Sequence, residues 1–223
     1  MKGVFVTGTD TGVGKTLLCA ALLSAAPADV HYAKPVQTGT PPDDDRATVL
    51  ALSGVPAARV PDLGLKLPEP VSPHHAARLA GMRLEAAALA ARVTACRPAP
   101  AAWIVEGAGG LLAPLNEHET MLDLARVLGL PVLVAVRVRL GAINHTLLTL
   151  RALQQAGTPC AGLLLVGATD PSLEGALAAH APGRLLGRLP WLGTVTPGAV
   201  AAAGRALWAA SPALAAACGG AGA

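Results

Sequence analysis

The sequence predicts an α/β protein, in which a mostly parallel sheet of about seven strands carries helices on both faces. Apolar β-type runs alternate with helical patterns along the chain, at the spacing of strand–helix–strand units. The hydrophobic content of 52% allows a sizeable core, and the aromatic content of 2% means that Leu, Val and Ala must fill it. No internal repeat or linker divides the pattern, so a single domain is expected.

The first half of the chain contributes three predicted strands and four predicted helices. Short apolar runs bounded by Gly or Pro predict strands at residues 2–7, 30–34 and 103–105. Helical spacing of Leu and Ala predicts helices at residues 14–25, directly after the acidic run 43–45, from Ser72, and at residues 84–95. The acidic run can cap the helix that follows it. Residues 56–73 are rich in proline and are expected to be irregular.

The second half continues the alternation. Strands are predicted at residues 131–136, 161–166 and 185–189, of which the first is the most apolar in the chain. Helices are predicted at residues 121–128, 141–156, 172–180 and 199–217. A Gly/Ala-rich tail from about residue 217 is expected to fray. In a sheet of this kind ligands bind at the carboxyl ends of the strands, so polar residues there are the candidates for function.

Composition argues against several classes of function. The net charge of +3 is small and no run of Lys or Arg exists, so no nucleic acid partner is expected. The four cysteines are far apart and make no Cys-x-x-Cys pair, which favours a reducing, cytoplasmic compartment. A strand begins two residues after the N-terminus, which leaves no room for a signal peptide. No apolar run of membrane-spanning length lacks a charge or a proline, so no membrane association is expected.

Residues 4–16 predict a phosphate-binding loop between the first strand and the first helix. The apolar run Val4–Val6 leads into TGTDTGVGKT at residues 7–16. Glycines let backbone N–H groups turn toward phosphate oxygens, the lysine neutralises phosphate charge, and the hydroxyl that follows can reach Mg²⁺. Five residues separate Gly8 from Gly14, one more than usual. An ordinary glycine-rich turn would leave Lys15 unexplained, so we expect a single P-loop nucleotide-binding domain over residues 1–223.

Two other strand ends carry polar residues. Glu106 follows Trp-Ile-Val and precedes several glycines, which favours a Mg²⁺ ligand over a solvated strand-end charge. Lys34 is held in extended backbone by the proline after it, and a second cation there would stabilise charge that develops during phosphoryl transfer. On chemistry alone, an ordinary surface lysine explains Lys34 equally well. Thr38 follows in the same loop.

For most of the other polar groups, a structural role is the simpler explanation. Each of Asp43, Asp44 and Asp45 is explained more simply as a solvated loop or a helix cap than as a metal ligand. The adjacent histidines 74 and 75 point in different directions on a helix, which favours a structural role, and His145 is better read as a packing or capping residue. The helix start at residues 141–144 has small residues whose free N–H groups suit a substrate carboxylate.

Six segments, in order along the chain, resemble the dethiobiotin synthetase family. They are TGTDTGVGKT (7–16), KPVQTG (34–39), SPH (72–74), VEGAGG (105–110), LGAINH (140–145) and LPWL (189–192). The longer phosphate loop is also usual in that family. The resemblance implies a Mg²⁺- and ATP-dependent ring closure in biotin synthesis, with 7,8-diaminononanoate, CO₂ or bicarbonate and ATP as partners. One amine takes up CO₂ as a carbamate, a carbamate oxygen attacks the γ-phosphate, and the second amine closes the ureido ring.

The resemblance also implies a role for each matched residue. Lys15, Lys34 and Thr11 are expected to be catalytic. Mg²⁺ is expected on Thr16, Asp45 and Glu106. The nucleotide is expected to contact Gly8, Gly12, Val13, Gly14, Lys15, Thr16, Leu17, Asp45, Glu106, Gly107, Ala108, Gly109, Val166, Gly167, Pro190, Trp191 and Leu192. The substrate is expected to contact Thr11, Thr38, Gly110, Gly141, Ala142 and Asn144. In the family the carboxylate-binding helix start belongs to the partner subunit, so a homodimer with shared active sites is implied.

The chain departs from the family pattern at the end of a late strand. Many members have Asn-Asp there, and the asparagine reads adenine, whereas this chain has Val166 and Gly167. Valine has no amide to pair with a base edge, so weaker discrimination among bases is expected, with use of CTP or GTP. Gly12 also replaces a larger residue, which is expected only to free the loop.

Two other functions share this type of loop. An ATP-dependent amidating domain of cobyrinic or cobyric acid synthesis would carry a further glutamine-amidotransferase domain with a nucleophilic cysteine, whereas Cys218 lies in the Ala/Gly-rich end. A partitioning ATPase carries a second lysine near the start of its loop, where this chain has Asp10. Both alternatives are therefore disfavoured by residues at the sites that would define them.

Overall fold

The computed structural model describes residues 1–218 and contains a six-stranded parallel sheet. Its strand order is β2-β5-β1-β6-β7-β8, and each neighbouring pair is parallel. The strands are β1 (Gly3–Gly8), β2 (Val30–Ala33), β5 (Ala102–Gly110), β6 (Val132–Arg137), β7 (Cys160–Val166) and β8 (Leu185–Leu189). Every residue of β1 is buried, as expected for a central strand with helices on both faces.

Helices cover both faces of the sheet and form two apolar cores. On one face, α1 (Lys15–Ala25), α2 (Asp45–Ser53), α8 (Pro197–Ala210) and α9 (Pro212–Ala217) pack over side chains such as Val4, Val6 and Ile104. The other face is covered by α3 (Pro73–Leu79), α4 (Ala86–Thr94), α5 (Met121–Leu128), α6 (Ala142–Gln155) and α7 (Pro171–His180). The predicted α/β class and the predicted order of helices and strands are confirmed.

The number of strands differs from the prediction of about seven. Within residues 1–218 the main sheet has six, and a separate small sheet pairs β3 (Val36–Thr38) with β4 (Leu65–Leu67) in parallel. These short strands lie in segments predicted to be a loop and an irregular region. The Leu65 N–H donates to the Pro35 carbonyl oxygen at 3.0 Å, so the pairing starts directly beside the proline that follows Lys34.

The C-terminal helical region is interrupted once. A single helix was expected over residues 199–217, but α8 ends at Ala210 and α9 begins at Pro212. The residue before a proline avoids helical backbone, and Ser211 instead caps α9 by accepting the Leu214 N–H at 3.2 Å. Most of the predicted tail lies outside the described residues. Among residues 1–218, no helix combines the length and the apolar character needed to cross a membrane.

Candidate active site

The loop between β1 and α1 has the geometry that an anion requires. Gly14 takes the left-handed conformation, with φ at 94°, and α1 begins at the next residue without a side-chain cap or an acidic residue in its first turn. Free N–H groups at such a helix start, together with the helix dipole, attract phosphate. A Cβ on Gly8 would lie 2.6 Å from the Asp10 carbonyl oxygen and 3.2 Å from Lys15 Nζ. Only glycine therefore lets the loop fold back this closely.

Four polar side chains, one just after β2, one on β5 and two from the starts of α1 and α2, meet beside this loop. The Thr16 hydroxyl, on α1, lies 2.8 Å from Asp45 Oδ1 and 3.0 Å from Glu106 Oε1. Lys34 Nζ, just after β2, lies 2.7 Å from Asp45 Oδ2 and 2.8 Å from Glu106 Oε1. The strands are parallel, so their carboxyl ends lie at one edge of the sheet. Residues far apart in sequence, such as Thr16 and Glu106, therefore meet at this edge.

Buried charges in this cluster are paired. Burial alone lowers the pKa of Lys34, but the carboxylates of Glu106 and Asp45 outweigh it and raise the pKa above its usual value. For Asp45, burial raises the pKa, but the nearby Lys34 ammonium lowers it by more. The pKa of Asp45 is therefore below its usual value. Lys15 lacks such close carboxylates, so burial and the positive charge of Lys34 lower the pKa of Lys15. The site therefore presents two ammonium groups and two carboxylates at the phosphate loop.

The three aspartates of the acidic run have separate places. Asp45 alone joins Thr16 and Lys34. Asp44 caps α2 by accepting the Ala47 N–H at 2.9 Å and pairs with Lys66. Through its backbone carbonyl oxygen, Asp43 accepts the Gln37 amide at 2.8 Å. Geometry therefore separates three residues that residue type alone left equivalent, and Asp45, which the family resemblance implied, is the one that joins the cluster.

A cavity of about 610 Å³ opens over the phosphate loop and this cluster. Most of the residues predicted to bind nucleotide, metal or substrate line it, namely Thr11, Gly12, Gly14, Lys15, Thr16, Leu17, Lys34, Thr38, Asp45, Glu106, Ala108 and Gly109. Gly107 lies at its edge and accepts a hydrogen bond from Lys34 Nζ to its carbonyl oxygen at 3.1 Å. Val13 is buried in the core beneath the loop.

The residues predicted to hold the base lie beside the same loop. Val166 is buried and packs on Gly14, where a Cβ would lie 2.9 Å from Val166 Cγ1. Gly167 follows, and its N–H donates to the Leu189 carbonyl oxygen at 2.9 Å. Pro190, Trp191 and Leu192 continue from β8, and the Trp191 ring is 60% exposed. These residues form an apolar wall with one exposed aromatic ring.

Predicted substrate residues divide between two places. A second cavity of about 410 Å³ is lined by Gly110 together with Thr9, Asp10, Leu111, Leu112, Ala113, His145, Leu148, Thr149 and Ala152. Gly141, Ala142 and Asn144 are not among the residues that line either of these cavities; they lie at the exposed start of α6, where Ala142 alone is buried. Within one chain, these three predicted carboxylate-binding residues therefore line neither cavity, although Arg139, just before α6, pairs with Asp10 of the phosphate loop.

Several residues of the site were missed in the sequence. Gln37 receives the Asp45 N–H on Oε1 at 2.9 Å and donates from Nε2 to Asp43, so its amide clamps the segment that carries Asp45. Arg137 donates to the Gly12 carbonyl oxygen at 3.1 Å and lies 5.4 Å from the centroid of the Trp191 ring. A polar residue at the end of a strand was the available signal for Arg137, and the motif KPVQTG contained Gln37.

Tyr32 is the third missed residue. Its hydroxyl lies 2.9 Å from Glu106 Oε2, and burial together with Glu106 raises the pKa of Tyr32 well above its usual value. The signal was its position two residues before Lys34, because residues i and i+2 of a strand share one face.

A glycine loop that joins the central strand to a helix, on a parallel sheet with this order, defines a P-loop nucleotide-binding protein. A family model described as an AAA domain matches residues 2–199. An ATP-dependent dethiobiotin synthetase BioD from Novosphingobium aromaticivorans is 44% identical over 203 residues, which cover 91% of this chain and 95% of the relative. A relative of the same name from Rhodopseudomonas palustris is 42% identical over 200 residues, which cover 90% of this chain and 91% of the relative. The chain belongs to the ATP-dependent dethiobiotin synthetase family.

Solved structures with similar folds are more distant in sequence. A ParA family ATPase from Chlorobium tepidum matches with a TM-score of 0.55 at 15% identity, over 98% of each chain. The septum site-determining protein MinD of Pyrococcus horikoshii, solved with Mg-ADP, matches with a TM-score of 0.53 at 15% identity, over 97% of this chain and 93% of that one. At this identity the likeness shows the fold alone.

Proposed function

We propose that the chain catalyses the ATP-dependent closure of 7,8-diaminononanoate with CO₂ to dethiobiotin, as a cytoplasmic homodimeric ligase of biotin synthesis. The observation that carries the proposal is the cluster of Lys34, Asp45, Glu106 and Thr16 beside the phosphate loop. A second cation and a carboxylate pair beside the loop support the transfer of a γ-phosphate that the loop would bind. The relatives that define the family of this chain are named ATP-dependent dethiobiotin synthetase, which agrees with the proposal.

The cluster fits a Mg²⁺ ion. Mg²⁺ prefers oxygen ligands in an octahedral arrangement, with few protein ligands and several waters. Thr16 Oγ1 lies within 3.0 Å of a carboxylate oxygen from each of Asp45 and Glu106, so three oxygens of different residues converge. Thr16, Asp45 and Glu106 would hold the ion. When bound, Mg²⁺ would supply positive charge to the phosphate oxygens of ATP.

The two lysines would stabilise the charge that moves during the reaction. The carbamate of the diamine attacks the γ-phosphorus through one oxygen, the bond to the β-phosphate oxygen breaks, and ADP leaves with the electron pair. Lys15 on the loop and Lys34 opposite would neutralise the transferring phosphoryl group, and Lys34 would also face the carbamate. The second amine then attacks the carbonyl carbon of the carbamic-phosphoric anhydride. Phosphate leaves with the electrons of the broken C–O bond, and the amine loses a proton as the ring closes.

The diamine would extend from the first cavity to the second. Thr11 and Thr38 line the first cavity and would face the amines. Gly110 and its apolar neighbours line the second, which suits the apolar chain of the substrate. The substrate carboxylate would reach Gly141, Ala142 and Asn144 of a second copy of the chain. Exposed Leu112, Leu140 and Leu148 around this region support a dimer contact there.

The decisive experiment is incubation of the protein with MgATP, bicarbonate and 7,8-diaminononanoate, with the product identified by mass. Dethiobiotin is expected, with phosphate release that requires both the diamine and bicarbonate. A partitioning ATPase, the other class of function that shares this type of loop, would instead require DNA or lipid for phosphate release. Folded protein that makes no dethiobiotin would overturn the proposal.

A further inference from the structure

Tyr32 is buried behind the proposed magnesium site and contacts one of its carboxylates. The side chain is fully buried in β2, and its hydroxyl donates to Glu106 Oε2 at 2.9 Å. We infer that Tyr32 is a positioning residue, which fixes the rotation of the Glu106 carboxylate so that Oε1 is presented to the metal. The inference rests on the proposed function and adds to it a residue outside the motifs that predicted the site.

The register of the sheet explains how Tyr32 reaches this carboxylate. β2 and β5 are parallel neighbours, with Tyr32 opposite Ile104 and Ala33 opposite Val105. Tyr32 and Ile104 both face α1, and Glu106, two residues after Ile104, faces the same side of β5. The long phenol therefore spans the step from one strand to the next and ends at Glu106. A shorter side chain at position 32 would not reach.

The two oxygens of Glu106 have different neighbours. Oε1 lies with Lys34 and Thr16, at 2.8 and 3.0 Å, and both of these residues line the first cavity. Oε2 is held by Tyr32, which is fully buried and is not among the residues lining that cavity. Tyr32 thus anchors the carboxylate at Oε2, and Oε1 faces the cavity where the metal would bind.

Lys34 and Thr16 also donate to Glu106, but neither can fix the orientation of its carboxylate independently of Asp45. Lys34 also pairs with Asp45 at 2.7 Å, and Thr16 also contacts Asp45 at 2.8 Å, so both are shared between the two carboxylates. Thr16 is itself a proposed metal ligand, and Lys34 is proposed to act on the phosphate. The bond from Tyr32 goes to Glu106 alone and needs no change when an ion is bound. Groups behind a metal ligand that fix its orientation contribute strongly to affinity.

The test compares Tyr32→Phe with Ile104→Val. Phenylalanine keeps the buried ring and removes only the hydroxyl, and Ile104→Val perturbs the packing opposite Tyr32 without removing a polar contact. Calorimetric titration of a non-hydrolysable ATP analogue, with and without Mg²⁺, gives the gain in affinity that Mg²⁺ provides. Tyr32→Phe is expected to reduce this gain about 10-fold, while affinity without Mg²⁺ stays unchanged. The control should keep the full gain, even where its melting temperature falls.

A double variant shows whether Tyr32 acts through Glu106. In a Glu106→Gln background, adding Tyr32→Phe should cause no further loss of the Mg²⁺ gain, because the group that Tyr32 positions is already altered. A full Mg²⁺ gain in folded Tyr32→Phe, or equal losses in both backgrounds, would overturn the inference and leave the proposed function standing. A wild-type protein without any Mg²⁺ gain would instead overturn the proposed metal site.

Discussion

Lys34 is almost fully buried, and its contacts explain how it stays charged there. The carboxylates of Asp45 and Glu106 lie within 2.8 Å of its ammonium and outweigh the effect of burial, so its pKa is raised. The sequence placed Lys34 at a strand end, where a surface lysine explained it equally well. Contacts with Asp45 and with the distant Glu106 show that Lys34 belongs to the cluster, and no local sequence pattern contains either contact.

Lys34→Ala is expected to lower kcat for dethiobiotin formation about 100-fold or more, because a buried cation that stabilises transition-state charge is lost. The fold should remain, as judged by circular dichroism. Lys66→Ala is the matched control, since Lys66 pairs with Asp44 and Asp62 at the surface and lies outside the cluster. Turnover that survives in the Lys34 variant would remove the catalytic role of this residue.

Base selectivity is a second question at the scale of residues. Val166 packs on Gly14 and has no polar group to read a base edge, and Arg137 lies beside Trp191 on that wall. We expect ATP, CTP and GTP to support turnover with kcat/KM values within about 10-fold of one another. Val166→Asn should shift the preference toward ATP. Competition among the nucleotides at equal Mg²⁺ measures this, and a strict ATP requirement in the wild-type protein would contradict it.

At the scale of elements, the phosphate loop is set by backbone shape as much as by side chains. Gly14 has φ at 94°, and a Cβ there would lie 2.9 Å from Val166 on β7. Gly14→Ala is expected to cost about 1–2 kcal/mol in unfolding free energy from backbone strain alone, and to abolish nucleotide binding. Thermal melts and nucleotide titration measure the two effects.

Gly175→Ala provides the control for that variant. Gly175 lies inside α7 and has open space where a Cβ would be, so alanine there should be neutral or slightly stabilising. A Gly14→Ala protein that binds ATP as well as the control would show that the loop relaxes without difficulty.

The elements differ in how well the sequence predicts them. Long apolar strands such as β6, and helices with strong periodicity such as α5, are predicted within a few residues. β3 and β4 were missed because three residues are too short to show alternation, and their pairing joins segments far apart in the chain. The break at Ser211 was missed because the alanine-rich pattern continues through it, although Pro212 was the available signal.

The candidate site likewise combines a local motif that the sequence predicts with long-range contacts that it does not. The phosphate loop is a local motif and is predicted in full from residues 7–16. Residue type alone does not separate Asp45 from its neighbours, because a helix cap and a metal ligand use the same residue type, and only the family resemblance pointed to it. The clamp that sets Asp45 apart depends on Gln37, whose amide nitrogen donates to the Asp43 carbonyl oxygen and whose amide oxygen accepts the Asp45 N–H. Such pairings between segments are fixed by the fold and leave no periodic trace.

At the scale of the whole molecule, the second cavity and the start of α6 raise the question of assembly. Leu112 and Leu148 line that cavity and are 58% and 60% exposed, and Leu140, just before α6, is fully exposed. Apolar side chains exposed together at the mouth of a cavity favour contact with another protein surface. A two-fold contact made with this face would bring one copy's α6 start toward the substrate cavity of the other.

Mixed dimers test that arrangement directly. Lys34→Ala disables the phosphoryl-transfer side of a site, and Asn144→Asp places a negative charge where the substrate carboxylate is proposed to bind. Each variant alone should be nearly inactive. If each site uses both chains, random mixing yields half heterodimers, each with one intact site, so activity should recover to about one quarter of the wild-type value. If each chain builds its own site, no heterodimer contains an intact one, and the mixture should stay at the mean of the two parent activities.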